Sequence, residues 1–181
     1  MKSVLTSIQP YWVFLIIARI MGWVIPQEKK VEVRKDFPKD KDWNRKVVIY
    51  CTKSRRSFNR IPAQYQPFMK NLLGKVIGEF VCDSIREGRA DTLYQAHAHN
   101  NPDETCLTDQ EIVLYANYGN PLYFWHISDL KIYDKPKELV EVFKPCDGCS
   151  KQGTERCTEE ISPCRATVIT RPPQSWCYVE G

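Results

Sequence analysis

The sequence predicts an α+β fold, mainly β, in which a small β-barrel carries helices at its rim. Three observations favour this class: the predicted strands are short and outnumber the helices, β-α-β alternation is absent, and twelve prolines and eight glycines are spread along the chain. The 181 residues, 43% of them hydrophobic, are enough for one globular domain with a core. A doubly wound parallel sheet is disfavoured because it requires alternating strands and helices.

The chain begins with a short strand at residues 3–8 and an apolar helix. Ser7, as an N-cap, and Pro10 favour a helix that starts near residue 8. Residues 11–25 are apolar apart from Arg19. This run is shorter than the roughly 20 residues of a membrane-spanning helix and is followed by no small-residue cleavage site. We therefore expect a buried helix, no membrane segment and a cytoplasmic protein.

The later strands are predicted from alternation and from apolar runs. Residues 30–35 alternate two valines with charged side chains, which is typical of a strand with one face in the core. Residues 46–52 are apolar on both faces, so this strand is expected at the centre of a sheet. Further strands are predicted at residues 75–85, at 122–133 with a break near Ser128, and at 175–180.

Loops and one capped helix are predicted between these strands. Residues 53–70 are expected to form an exposed basic loop, and residues 86–107 a long polar connection. Thr108 and Glu111 have the spacing of a capping box that opens a short helix. The predicted domain comprises residues 1–144 and 170–181, with a cysteine-bearing insertion at residues 145–169.

Several segments, taken in order, resemble ASCH domains. They are residues 7–10 (S-I-Q-P), 28–35 (E-K-K-V-E-V-R-K), 50–53, 74–80 and 125–130, and a closing segment, 171–180, similar to a subgroup from bacteria and their phages. The resemblance implies a PUA-like β-barrel with a cleft beside the first helix and a role in RNA binding. Some members similar in fold hydrolyse the amide of an acetylated cytidine, and others have been proposed to cut RNA, so the fold leaves the activity open.

Basic residues are concentrated between positions 28 and 60. Twelve lysines and arginines against five acidic residues give this stretch a charge of +7, compared with +4 for the chain. This pattern is typical of a phosphate-binding face, although a solvated surface of mixed charge has the same composition. We expect RNA or a nucleotide-like ligand to bind here, and a protein partner is a further possibility. The predicted nucleic-acid-binding residues are Lys30, Glu32, Arg34, Tyr50, Lys53, Arg55 and Arg56.

The strand at residues 30–35 is the best candidate for lining the cleft. Period-two geometry places Lys30, Glu32 and Arg34 on one face and Lys29 on the other, with the valines. The planar guanidinium of Arg34 suits a phosphate or a base edge, and Glu32 could accept hydrogen bonds from a base amino group. Trp12 is one of several nearby aromatic residues that could stack on a base. A ladder of surface charges that supports the strand is the alternative.

The resemblance also implies candidate catalytic residues. In the related amidohydrolases a lysine and a threonine of this strand act with a glutamate of the rim helix. Lys29 matches the lysine, Glu32 occupies the place of the threonine, and Glu111 corresponds to the glutamate. Because a carboxylate is a poor replacement for the attacking hydroxyl, the same reaction is disfavoured. Lys29 with Glu32 or Glu111 remains a candidate acid–base pair for another hydrolysis, whereas binding without catalysis is the leading expectation.

The cysteines and histidines suggest one metal site. Four cysteines that begin with a C-x2-C pair lie in a loop of low apolar content, and together they can form a tetrahedral zinc site that orders the loop. They are Cys146, Cys149, Cys157 and Cys164. Free thiols are the alternative, as are disulfides in an oxidising compartment. His97 and His99 could share a metal if their segment is extended, but such a pair is more often part of a loop, and His126 is expected to be structural.

Overall fold

The computed structural model describes residues 2–39, 44–145 and 168–180. Eight strands lie in these ranges: β1 (Lys2–Ile8), β2 (Val31–Arg34), β3 (Arg45–Cys51), β4 (Val76–Cys82), β5 (Ile85–Gly88), β6 (Leu122–His126), β7 (Ser128–Lys137) and β8 (Trp176–Glu180). The α-helices are α1 (Pro10–Ile17), α2 (Arg55–Phe58), α3 (Gln66–Lys70), α4 (Leu93–His99), α5 (Pro102–Thr105) and α6 (Asp109–Tyr115). Single 3-10 turns occupy Ala63–Tyr65 and Leu139–Glu141.

The described strands form two open sheets instead of the closed barrel that we predicted. One sheet has the order β7-β4-β3-β1-β8 and the other the order β2-β6-β5. In the larger sheet β1 is parallel to β3 and antiparallel to β8, and β3 lies at the centre as its apolar sequence predicts. The mainly β, α+β class is therefore confirmed, whereas the barrel prediction is not.

Two breaks in the chain separate the strands of the two sheets. The strand predicted at residues 75–85 ends at Cys82, and β5 follows within the segment predicted as a polar connection; the strand predicted at residues 122–133 is divided into β6 and β7. In both cases the two strands belong to different sheets. Side chains link the two breaks: His126 Nδ1 lies 2.7 Å from Asp83 Oδ1, and the Ser128 hydroxyl donates to the Val81 carbonyl at 2.8 Å. The break predicted near Ser128 is thus confirmed, and His126 is structural as expected.

The chain divides into two compact units. The first comprises residues 1–10, 46–79 and 132–181, and the second residues 11–45 and 80–131. In the first, side chains from β1, β3, β4 and β8 form a buried cluster. In the second, valines of β2 and Phe124 of β6 pack with apolar residues of α4 and α6. This second core places one face of β2 against the rim helices, so the other face is left for polar residues.

The N-terminal helix is buried, as predicted, but it is shorter than its apolar sequence. Val13 through Ala18 are all buried, and α1 ends at Ile17. Ser7 is not its N-cap, because Ser7 belongs to β1 and its hydroxyl donates to the Pro173 carbonyl at 2.7 Å. Among the described residues no helix has the length and hydrophobicity required to cross a membrane.

Two segments that we predicted to be loops contain short helices. Residues 53–70 include α2 and α3, and residues 86–107 include the end of β5, α4 and α5. Side-chain caps start three of these helices: Ser54, Thr92 and Asn101 each accept a hydrogen bond from a backbone N–H of the first turn. These helices bury few side chains, so apolar periodicity gave no signal for them.

The turn after α6 provides a test of backbone strain. Tyr118 has a φ of 56° in the left-handed region, and its side chain is 69% exposed. Replacement by glycine should raise the free energy of unfolding by up to about 1 kcal/mol, because glycine adopts positive φ without the Cβ penalty. Tyr94, 84% exposed within α4, is the matched control, and Tyr94→Gly should lower that free energy by about 0.5 kcal/mol. Urea denaturation measures both, and a similar loss in the two variants would contradict the assigned backbone.

Candidate functional site

A cluster of three buried charges lies at β2. Lys29, Glu32 and Arg34, called here the charged cluster, have side chains that are only 2%, 8% and 8% exposed. Glu32 Oε1 lies 3.1 Å from Arg34 Nη2, and Glu32 Oε2 lies 3.7 Å from Lys29 Nζ. One carboxylate therefore serves two cations, and the cluster has a formal charge of +1 when all three groups are ionised.

The strand geometry explains why these charges meet. Val31 and Val33 face the core under the rim helices, so alternation places Glu32 and Arg34 on the opposite face of β2. We expected Lys29 on the valine face, and this was wrong. The strand begins only at Val31, and the Lys29 backbone N–H donates to the Leu15 carbonyl at the end of α1. Lys29 is therefore not bound by the alternation, and its side chain reaches Glu32.

The Lys29 ammonium lies in an unusually dry environment. Nζ donates to the Thr105 carbonyl at 2.8 Å and lies 5.1 Å from the centre of the Trp12 ring. Burial lowers the pKa of Lys29, although the neighbouring Glu32 carboxylate partly opposes this shift. A larger fraction of Lys29 is therefore neutral at any given pH than of an ordinary lysine.

Two buried polar atoms beside the cluster have no hydrogen-bond partner among the described residues. They are Glu32 Oε2, an acceptor, and Trp125 Nε1, a donor. Glu32 and Trp125 are directly opposite in the β2–β6 ladder, so their side chains leave the same face of the sheet. An unsatisfied buried polar atom costs about 1–3 kcal/mol. A water or a ligand group that donates a hydrogen bond to Glu32 Oε2 and accepts one from Trp125 Nε1 would satisfy both atoms.

Aromatic rings lie close to the charged cluster. Tyr115 of α6 lies near Arg34 and Glu32, and the Lys35 ammonium is 4.9 Å from its ring centre. Burial raises the pKa of Tyr115; the Arg34 charge partly opposes this shift, and the Glu32 charge adds to it. Trp12 was anticipated from the sequence, whereas Tyr115 and Trp125 were not. Their proximity depends on helix packing and strand register, and no local pattern reveals either.

The other predicted nucleic-acid-binding residues are placed differently. Lys30 precedes β2 with an exposed side chain. Tyr50 is buried in the core of the first unit, where burial raises its pKa. Lys53, Arg55 and Arg56 are exposed and also belong to the first unit, around the start of α2. The structure therefore groups Glu32 and Arg34 with Lys29 in one cluster of the second unit, whereas Lys53, Arg55 and Arg56 belong to the first unit.

Glu111 has a clear structural role. Its carboxylate accepts hydrogen bonds from the Thr108 backbone N–H at 2.8 Å and from the Thr108 hydroxyl at 3.0 Å. The Thr108 hydroxyl accepts the Glu111 backbone N–H in return, which confirms the predicted capping box. These hydrogen bonds account for the position of the Glu111 carboxylate, which stabilises the start of α6.

The predicted metal site lies outside the described residues. Cys146, Cys149, Cys157 and Cys164 all fall in the range 146–167, so zinc binding there stays a prediction. Burial raises the pKa of Cys51 and of Cys82 to about 12, as expected of thiols that act as small hydrophobic residues. Across the described ranges, no group of three His, Cys, Asp or Glu side chains could hold a metal.

Comparison with known proteins gives a clear answer for the fold. No protein-family model matches the chain, and no curated protein matches it in sequence. Crystal structures of an ASCH protein from Zymomonas mobilis do match, over 98% of this chain and 87% of that protein, with 18% identity and a TM-score of 0.55. The chain has the fold of an ASCH domain.

Two further crystal structures of the same Zymomonas mobilis ASCH protein agree. A variant with a tyrosine replaced by phenylalanine has 17% identity and a TM-score of 0.57, and the match covers 99% of this chain and 91% of that one. A variant with a serine replaced by alanine has 17% identity and a TM-score of 0.56, over 98% and 88%. The ASCH resemblance predicted from the sequence is thereby confirmed as a fold, and function must be argued from the site itself.

The buried pairing of Glu32 can be tested against the exposed capping role of Glu111. Glu32→Ala should lower the free energy of unfolding by about 3–5 kcal/mol, because it leaves Lys29 and Arg34 buried without a counter-charge. Glu111→Ala removes only a helix cap and should cost about 1 kcal/mol. Denaturant unfolding compares the two variants, and equal costs would show that the charged cluster is not buried as described.

Proposed function

We propose that this protein binds an unpaired nucleotide of an RNA strand at the charged cluster. The observation that carries the proposal is a pair of buried atoms that form no hydrogen bond with a described residue, the acceptor Glu32 Oε2 and the donor Trp125 Nε1, on opposite residues of β2 and β6. They lie beside two cations, Lys29 and Arg34, and near two aromatic side chains.

The burial of the charges supports a functional site. Replacing a buried ionic cluster with apolar residues of similar volume is often neutral or stabilising, so stability alone does not explain its presence. Titratable groups with shifted pKa values and a specific charge partner are candidates for binding or catalysis. Lys29 meets both conditions, since burial lowers its pKa and Glu32 is its partner.

The chemistry of the site fits a nucleotide. A base edge offers both hydrogen-bond donors and acceptors, which complement Glu32 Oε2 and Trp125 Nε1. The net positive charge of the cluster suits the phosphate of the same nucleotide. The Trp12 and Tyr115 rings offer surfaces on which a base can stack. A paired base has its edge and both faces covered, so a single strand or a loop is the expected ligand.

Hydrolysis is a second candidate, favoured by one specific observation. Lys29, whose pKa is lowered by burial, lies 3.7 Å from a carboxylate oxygen of Glu32, so a potential general base and a potential general acid lie side by side. Such a pair would act on the bound RNA strand or on a modified nucleoside. Glu111 is not needed for this role, because its carboxylate caps α6.

Fluorescence anisotropy of a labelled single-stranded RNA, measured across a salt series, tests the proposal. Binding should weaken steeply with salt, because phosphate contacts release counterions. Arg34→Gln should weaken binding at least about tenfold. Arg19→Gln removes the same charge from an exposed position in the same unit and should change the affinity by less than about twofold.

A second variant, Trp12→Leu, tests the site independently in case Arg34→Gln fails to fold. Trp12→Leu leaves all three charges in place and should weaken binding about 5- to 100-fold through lost stacking. Unchanged affinity in both variants would overturn the proposed site. A denaturing gel of the same mixtures separates the two candidate functions. An RNA strand that stays at full length with the wild type supports binding alone. A strand that is shortened by the wild type but stays at full length with Lys29→Met supports hydrolysis.

A further inference from the structure

We propose that a second pocket, between β5 and α4, binds the phosphate group of a phosphate ester. The cavity measures about 370 Å³ and is lined by Glu87, Gly88, Arg89, Gln95 and His99. All five residues belong to the second unit, and none belongs to the charged cluster. The inference therefore does not depend on the function proposed above.

Gly88 has no side chain, and this leaves space for His99 and Phe124 to pack closely against its backbone. A Cβ at this position would lie 2.9 Å from both Cβ and Cγ of His99 and 3.0 Å from the Phe124 ring. Glycine thus lets α4 approach β5 closely and fixes where the His99 side chain sits. Arg86 secures the end of α4, since its Nη1 donates to the His99 carbonyl at 3.3 Å while its guanidinium lies 5.4 Å from the Phe124 ring centre.

Three lining side chains have donors that no described residue uses. The Gln95 Oε1 accepts the Asp91 backbone N–H at 2.8 Å, which orients the amide and leaves its NH2 group available. The exposed guanidinium of Arg89 forms no ion pair with a described residue. The half-buried ring of His99 has no hydrogen bond within the described ranges.

Glu87, the single acidic residue of the lining, belongs to the other face of its strand. Glu87 pairs with Tyr123 in the ladder, and alternation sends its side chain to the face opposite Gly88. Burial raises the pKa of Tyr123, its ladder partner, and the Glu87 charge adds to this shift. The pocket consequently presents donors from Arg89, Gln95 and His99.

A lining of donors selects a ligand group that only accepts hydrogen bonds. A phosphate group fits this requirement, because its ionised oxygens all accept and the arginine fork matches their geometry. The Gln95 Oε1 acceptor is already used by the Asp91 backbone N–H, whereas the Gln95 NH2 group and the Arg89 guanidinium are available as donors. The volume lies near the lower end of small-molecule pockets, with space for a phosphate and an attached sugar. The expected ligand is therefore a phosphate ester, either free or within a nucleic-acid strand.

Nuclear magnetic resonance titration of the full chain with three probes tests this pocket. Inorganic phosphate, ribose 5-phosphate and a short single-stranded RNA are each added to 15N-labelled protein. Ribose 5-phosphate should cause saturable shifts of the backbone amides of Gly88, Arg89, Gln95 and His99. Arg89→Gln should weaken this binding about tenfold, and Gly88→Ala should weaken it similarly by displacing His99. The control, Arg19→Gln, carries the same charge change and should bind within about twofold of the wild type.

The three probes separate the sources of the phosphate. Shifts with both ribose 5-phosphate and RNA support a site for any phosphate ester, and shifts with RNA alone support a site for the strand backbone. Inorganic phosphate binding as tightly as ribose 5-phosphate would overturn the ester assignment. The absence of saturable shifts at these amides with every probe would overturn the pocket, as would equal weakening in Arg89→Gln and Arg19→Gln.

Discussion

The pairing of one buried carboxylate with two buried cations is the constraint on which the second unit depends. Glu32 is the counter-charge of both Lys29 and Arg34, so its removal would leave two buried cations uncompensated. Because β2 begins only at Val31, Lys29 lies outside the strand alternation and its side chain can reach Glu32. The valines of β2, packed under α4 and α6, hold the carboxylate in place from the opposite face.

The three-stranded sheet carries both candidate sites on its two faces. The face of Glu32 and Trp125 offers an acceptor and a donor beside cations, which suits a nucleotide. The face of Gly88, with α4 packed against it, offers donors from Arg89 and Gln95, which suit a phosphate ester. A short sheet with a different helix or loop on each face can therefore support two kinds of recognition without sharing a residue.

Local features of the sequence predicted local structure well, and long-range features were missed for physical reasons. The alternation at β2 and the capping box at Thr108 and Glu111 depend on neighbours in sequence, so both could be predicted. The open sheets follow from strand breaks fixed by contacts such as His126 with Asp83, which are distant in sequence. Trp125 lies at the candidate site because it is paired with Glu32 in the β2–β6 ladder, and the pairing of two strands cannot be predicted from either strand alone.

Replacement of the whole charged cluster by apolar residues tests the account most directly. In the triple variant Lys29→Met, Glu32→Leu and Arg34→Met, no charge of the cluster remains to be compensated. If the cluster is kept for binding, the free energy of unfolding should stay equal or rise by about 1–4 kcal/mol, while RNA binding is lost. A variant that loses several kcal/mol of stability yet still binds RNA with the affinity of the wild type would contradict the account, because the cluster would then serve the fold and not the ligand.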